Sequence, residues 1–246
     1  MFEEHVAIDT GDGVMSTFVV RPELTELRPG PFPTVLFLMD APGKRDELLD
    51  MARRIATVGY YVMLPNLYYR ETPGFTVLRD DPASVEFMFG MMSRLSNAMV
   101  ARDAEAMLTH AESDSSASTD QVGTTGYCMT GPMALWIAAE FPETITAAIS
   151  VHGVRLAVDA DDSPHRRSAD IKGEVLVLAA EFDDYVDRAH YDRLCASFVE
   201  AGTNANCHWL EGVHHGFVFP QRFAYDKYAA ERHWELLHDL FARQLS

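Results

Sequence analysis

Two hydrophobic rhythms divide this chain. Residues 34–39, Thr-Val-Leu-Phe-Leu-Met, form an almost continuous apolar run, as expected of a strand covered on both faces. Similar short runs at 60–64, 145–151, 174–180 and 206–210 read as further strands. Between them the apolar spacing becomes helical. Leu48, Ala52 and Ile55 share one face, with Gly59 as the stop. Residues 85–111 read as mostly helix, Met-rich and broken near Ser96-Asn97, and 188–201 as another helix. Ala230, Trp234, Leu237 and Phe241 line one face of a terminal helix expected over 221–245. Ahead of all these, 3–9 and 14–20 read as two strands joined by Gly11-Asp12-Gly13, a hairpin signal. Residues 113–119 read as a loop, and 152–170 as an irregular charged excursion.

Strands alternating with helices from Thr34 onward predict an α/β fold with a mostly parallel central sheet, helices on both faces and an antiparallel N-terminal hairpin. Residues 1–246 are expected to form a single domain. In such sheets ligands bind beyond the carboxyl ends of the strands. Asp40, Cys128, Asp183 and His215 each fall just after a predicted strand.

The stretch 122–132 carries the strongest chemical signal. It reads as strand, Gly-flanked turn and helix start, with Cys128 at the apex, the geometry of a nucleophile elbow. An isolated cysteine is most often a buried structural thiol, and Cys195 and Cys207 are read that way. Cys128 differs because Gly126 and Gly131 flank it and a helix follows. A helix N-terminus favours the thiolate, and the Met129 N–H would face a developing oxyanion. His214 and His215 follow a strand. Neighbouring histidines in an extended segment point oppositely and chelate one ion poorly, so His215 reads as a general base. Of the carboxylates between Glu181 and Asp187, Asp183 is assigned to orient the imidazole, although such a loop can also serve only to cap the next helix. Asp40, before Ala41-Pro42-Gly43, is either a turn residue or part of the site, with the Ala41 N–H as a second oxyanion donor.

Composition narrows the partners. A net charge of −17 disfavours nucleic acid and anionic membranes. Three cysteines without a C-x-x-C pair suggest neither a disulfide framework nor a zinc site. The opening residues lack the pattern of a signal peptide, and a cytoplasmic protein is the simplest expectation. No cofactor and no metal is expected.

Taken together, Met39-Asp40-Ala41-Pro42-Gly43, Gly59-Tyr60-Tyr61-Val62, Pro65-Asn66-Leu67-Tyr68, Gly126-Tyr127-Cys128-Met129, Asp183 with Val186, and His215-Gly216-Phe217 resemble the dienelactone hydrolase family of α/β-hydrolases. The resemblance implies a Cys-His-Asp triad at Cys128, His215 and Asp183. It also implies an acidic residue at the Asp40 position that holds the resting thiol neutral and helps deprotonate it when substrate binds. The substrate implied is a small carboxylic ester or lactone. The alternatives are a thioesterase or acyltransferase using the same triad, and a catalytically silent binding protein on the same fold. Two positions depart from the family pattern. Thr130 stands where the family has Gly, which is expected to alter the elbow or crowd its helix. Phe219 stands where dienelactone-specific members carry an arginine for the substrate carboxylate. Residues 87–92, rich in Phe and Met, read as a core helix rather than a pocket lining.

Overall fold

The computed structural model describes residues 1–245. The fold is α/β, with eight strands in a mixed sheet and an antiparallel pair at its start. Two compact units make up the chain, Met1–Val122 and a second beginning at Gly123.

In the first unit, β1 (Phe2–Asp9) and β2 (Val14–Arg21) pair antiparallel, closing at Asp9 and Val14. Gly11 turns this hairpin with φ +79°, which glycine adopts without strain. β2 pairs antiparallel with β4 (Tyr61–Pro65), and β4 pairs parallel with β3 (Phe32–Phe37). The helix α1 (Asp46–Thr57) buries Leu48, Ala52 and Ile55, the face its spacing predicts, and Met51 beside them. The broken helix resolves into α2 (Pro82–Arg94) and α3 (Asn97–Ser113). Ser96 makes the break by accepting the Met99 N–H at 3.2 Å as the cap of α3. One expectation changes here. The segment 87–92 is not a plain core helix: Met88 and Met91 are buried, but Phe87 and Phe89 point outward.

β5 (Ala117–Tyr127) begins within the stretch expected to be loop and runs into the second unit. There it is followed by α4 (Gly131–Glu140), β6 (Ile145–Val151), β7 (Glu174–Phe182), α5 (Arg188–Ala201), β8 (Ala205–His214) and α6 (Lys227–Gln244). β6, β7 and β8 run parallel as neighbours, so their carboxyl ends share one edge. β8 extends four residues past its predicted end because pairing resumes beyond a bulge, with His214 opposite Phe182. α6 starts later than predicted. Residues 221–226 turn first, and Asp226 then caps the helix by accepting the Ala229 N–H at 2.9 Å. Gly123 lets α6 lie close: a Cβ there would sit 2.8 Å from the Phe241 ring. Cys195 on α5 and Cys207 on β8, read separately as structural, interact with each other, which lowers the pKa of Cys195 and raises that of Cys207.

Candidate active site

The elbow is built from backbone strain and glycine. Cys128 sits at φ +55°, a conformation costly for a residue with a Cβ. Three residues of 3₁₀ helix, Cys128–Thr130, lead directly into α4. Such a tight turn needs Gly126, where a Cβ would stand 2.1 Å from the Thr130 carbonyl oxygen. Thr130 does not disturb the turn; it closes it. Its hydroxyl accepts the Tyr127 N–H at 2.9 Å and donates to the Tyr127 carbonyl at 3.1 Å. The helix is not crowded either, because Gly131 provides the close approach. A Cβ on Gly131 would lie 2.5 Å from Gly153 Cα and 2.6 Å from Ser150 Oγ. The thiol itself is almost covered, packed with Val154 and Val186.

Asp183 follows β7 and His215 follows β8. The Asp183 Oδ2 and the His215 Nδ1 lie 2.7 Å apart. The other carboxylate oxygen, Oδ1, accepts the Tyr185 N–H at 2.8 Å, which fixes its rotamer. The register helps, since the His215 N–H donates to the Phe182 carbonyl at 2.9 Å and ties the two strand ends together. The Asp183 side chain is 2% exposed and that of His215 13%. Burial disfavours a charged imidazole. It is outweighed by the hydrogen bond to Asp183 and by the neighbouring Cys128 sulfur, and His215 is pushed up to about 9. The His215 Nε2 has no partner at standard hydrogen-bond geometry, so the thiol is close but not aligned. Unaligned contacts of this kind are common before substrate binds. His214 lies tilted against Phe182, 4.8 Å between centroids, and is exposed.

Two rings that the sequence reading did not single out border His215. Tyr185, 57% exposed, lies edge-on at 5.2 Å. His152, fully buried, lies at 4.6 Å. His152 was hidden inside a segment read as an irregular excursion. The available signal was its place directly after a strand, which it shares with Cys128, Asp183 and His215, and before Gly153.

Asp40 and Ala41 belong to the first unit. The Asp40 carboxylate is fully buried and paired with the Arg45 guanidinium, which also binds Glu47. The Ala41 carbonyl accepts the Tyr68 hydroxyl at 2.7 Å. Phe219 is buried beneath the Arg222 guanidinium, whose carbon lies 4.5 Å from the ring centroid. Among the described residues, no group of three or more His, Cys, Asp or Glu side chains is placed to hold a metal. No described helix is long and apolar enough to cross a membrane.

Comparison with known proteins supplies the context. The model of the dienelactone hydrolase family matches residues 15–245. A candidate carboxymethylenebutenolidase from Methylorubrum extorquens is 28% identical over 240 residues, covering 96% of this chain and 79% of the relative. Another, from Synechocystis sp., is 25% identical over 88% of each chain. The crystal structure of a candidate dienelactone hydrolase from Klebsiella pneumoniae superposes with a TM-score of 0.86. It covers 98% of both chains at 22% identity, a likeness of fold.

Proposed function

Because the chain belongs to the dienelactone hydrolase family, we propose that it hydrolyses a carboxylic ester or lactone with Cys128 as nucleophile, His215 as base and Asp183 as the orienting acid. The observation that supports this reading is the 2.7 Å contact between Asp183 and His215, on a ring whose pKa the Cys128 sulfur helps to raise. A base must be held in one tautomer beside its nucleophile, and the Asp183 contact supports the holding of the tautomer.

In this scheme the neutral form of His215, the minority below its pKa of about 9, accepts the Cys128 proton at Nε2 as the sulfur attacks the substrate carbonyl. The tetrahedral oxyanion is held by the Met129 N–H at the start of the helical run. Collapse expels the alkoxide, which takes the proton from His215 and leaves a thioester on Cys128. Water then attacks that thioester. His215 accepts the water proton and returns it to the departing sulfur, releasing the acid. In a lactone the alkoxide and acid belong to one molecule, so the product is a hydroxy acid. Asp183 keeps the Nδ1 proton in place throughout. The assignments of Asp40 and the Ala41 N–H to this chemistry rest on the sequence motif alone. No step calls on a metal or organic cofactor.

The test is Cys128→Ala against a panel of activated aryl esters and small lactones. Turnover should vanish. Intact-protein mass spectrometry of quenched wild-type reactions should reveal one acyl group that the variant never acquires. Undiminished hydrolysis by the variant would overturn the assignment.

A further inference from the structure

His152 directly follows β6, as Cys128 follows β5, Asp183 follows β7 and His215 follows β8. Its φ is +37°, so it shares with Cys128 a positive φ unusual for a side-chain-bearing residue. Strained backbone of this kind persists only where its surroundings enforce it, and it gathers at functional sites. The surroundings here are specific. The His152 N–H donates to the Leu178 carbonyl at 2.6 Å. Two residues later, the Val154 N–H donates to the carbonyl of Cys128 itself at 3.1 Å. The loop that carries His152 is therefore tied to the nucleophile's own backbone.

The imidazole of His152 is 1% exposed, and neither ring nitrogen has a hydrogen-bond partner. Its neighbours are rings: His215 at 4.6 Å, and Phe217 and Phe219 each at 5.6 Å. Burial holds its pKa well below the usual imidazole range, and the nearby charges of His215 and Arg222 add to this. The ring is thus neutral, and what it offers His215 is a surface. The His215 ring is held by its own Cβ–Cγ bond and by the one contact of Nδ1 with Asp183. It can still rock about the axis through those two points, which moves Nε2. Tyr185 covers it on the exposed side and His152 on the buried side.

We propose that His152 is a positioning residue: a flat wall that blocks inward swing of the His215 imidazole and keeps its Nε2 directed at Cys128. The proposal rests on the reading of Cys128 and His215 as nucleophile and base.

Two variants separate the wall from its nitrogens. His152→Asn removes the ring, and Asn accepts the left-handed backbone more readily than most residues. His152→Phe keeps a flat ring and removes both nitrogens. With both shown to be folded by circular dichroism, H152N should lower kcat about a hundredfold, the scale expected for a reacting group misplaced by about 1 Å. KM should stay near the wild-type value, and H152F should recover most of the loss. NMR of the His215 ring protons adds a readout that lost packing elsewhere would not move. The titration near 9 should fall in H152N, as Nε2 moves away from the Cys128 sulfur that helps raise it, and stay close to wild type in H152F. Should H152N not fold, His152→Leu gives the same comparison. A folded H152N or H152L with wild-type kcat and titration overturns the proposal. So does a folded H152F as slow as H152N, which would assign the effect to the nitrogens. An inactive C128A beside a fully active H152N sinks this inference alone, whereas an active C128A sinks the proposed chemistry.

Discussion

The Thr130 hydroxyl bonds both backbone groups of Tyr127, accepting its N–H at 2.9 Å and donating to its carbonyl at 3.1 Å. The two residues bracket Cys128, so one side chain closes the turn that carries it. Thr130→Val keeps the shape and removes both bonds, leaving the Tyr127 N–H buried. It should cost about 1–3 kcal/mol of stability, read from urea unfolding, and should slow ester hydrolysis. Unchanged stability and rate would show that the elbow stands without this clasp.

Gly131 allows α4 to touch the β6 loop. A Cβ there would meet Gly153 Cα at 2.5 Å and Ser150 Oγ at 2.6 Å, and backbone cannot step aside as a flexible side chain can. Gly131→Ala should destabilise by roughly 1–3 kcal/mol through overpacking. It should also reduce activity, because the loop it pushes holds the Cys128 carbonyl through Val154. A variant as stable and active as wild type would mean the contact relaxes freely.

Asp183→Asn preserves the shape of the acid but supplies an amide where His215 needs an acceptor. In the proposed scheme the imidazole is then held in the wrong tautomer, and kcat should fall on the order of 10³- to 10⁴-fold. The His215 titration should also drop from about 9, which NMR would detect. A titration that stays high would assign the shift to Cys128 instead.

Stability should depend on pH through the same ring. Its folded pKa of about 9 exceeds the unfolded value of about 6.5, so folding favours the protonated form. This contribution is complete below the unfolded value and is lost as pH rises through the folded one. Its size is at most roughly 3 kcal/mol. Urea midpoints measured from about pH 6 to 10 should decline over that window. The decline should be shallower in D183N and in C128A, each of which removes one group that raises His215. Equal slopes in all three proteins would refute the attribution.

Much of this molecule is legible in its sequence because its signals are local. The bounds of β6 and α5 follow from apolar spacing alone, since each is one uninterrupted pattern with clear stops. The elbow is legible because a sharp turn needs glycine at Gly126, and the strand and helix signals meet there. Asp183 and His215 are legible as residues placed after strands. Local patterns fail where pairing or burial is decided by distant partners. β8 continues past its apolar run because β7 offers a partner across a bulge. Phe87 and Phe89 face outward although their helix reads as core.

What only the tertiary structure decides is which side chains meet. The 2.7 Å contact of Asp183 with His215 joins residues 32 positions apart. The apposition of His152 with His215 joins the ends of two different strands. The benign role of Thr130 depends on the turn it closes, and the need for Gly131 depends on Gly153 across the helix contact. Sequence spacing fixes the direction of a side chain along its own element. Contact between elements depends on register and close packing, which no single segment encodes.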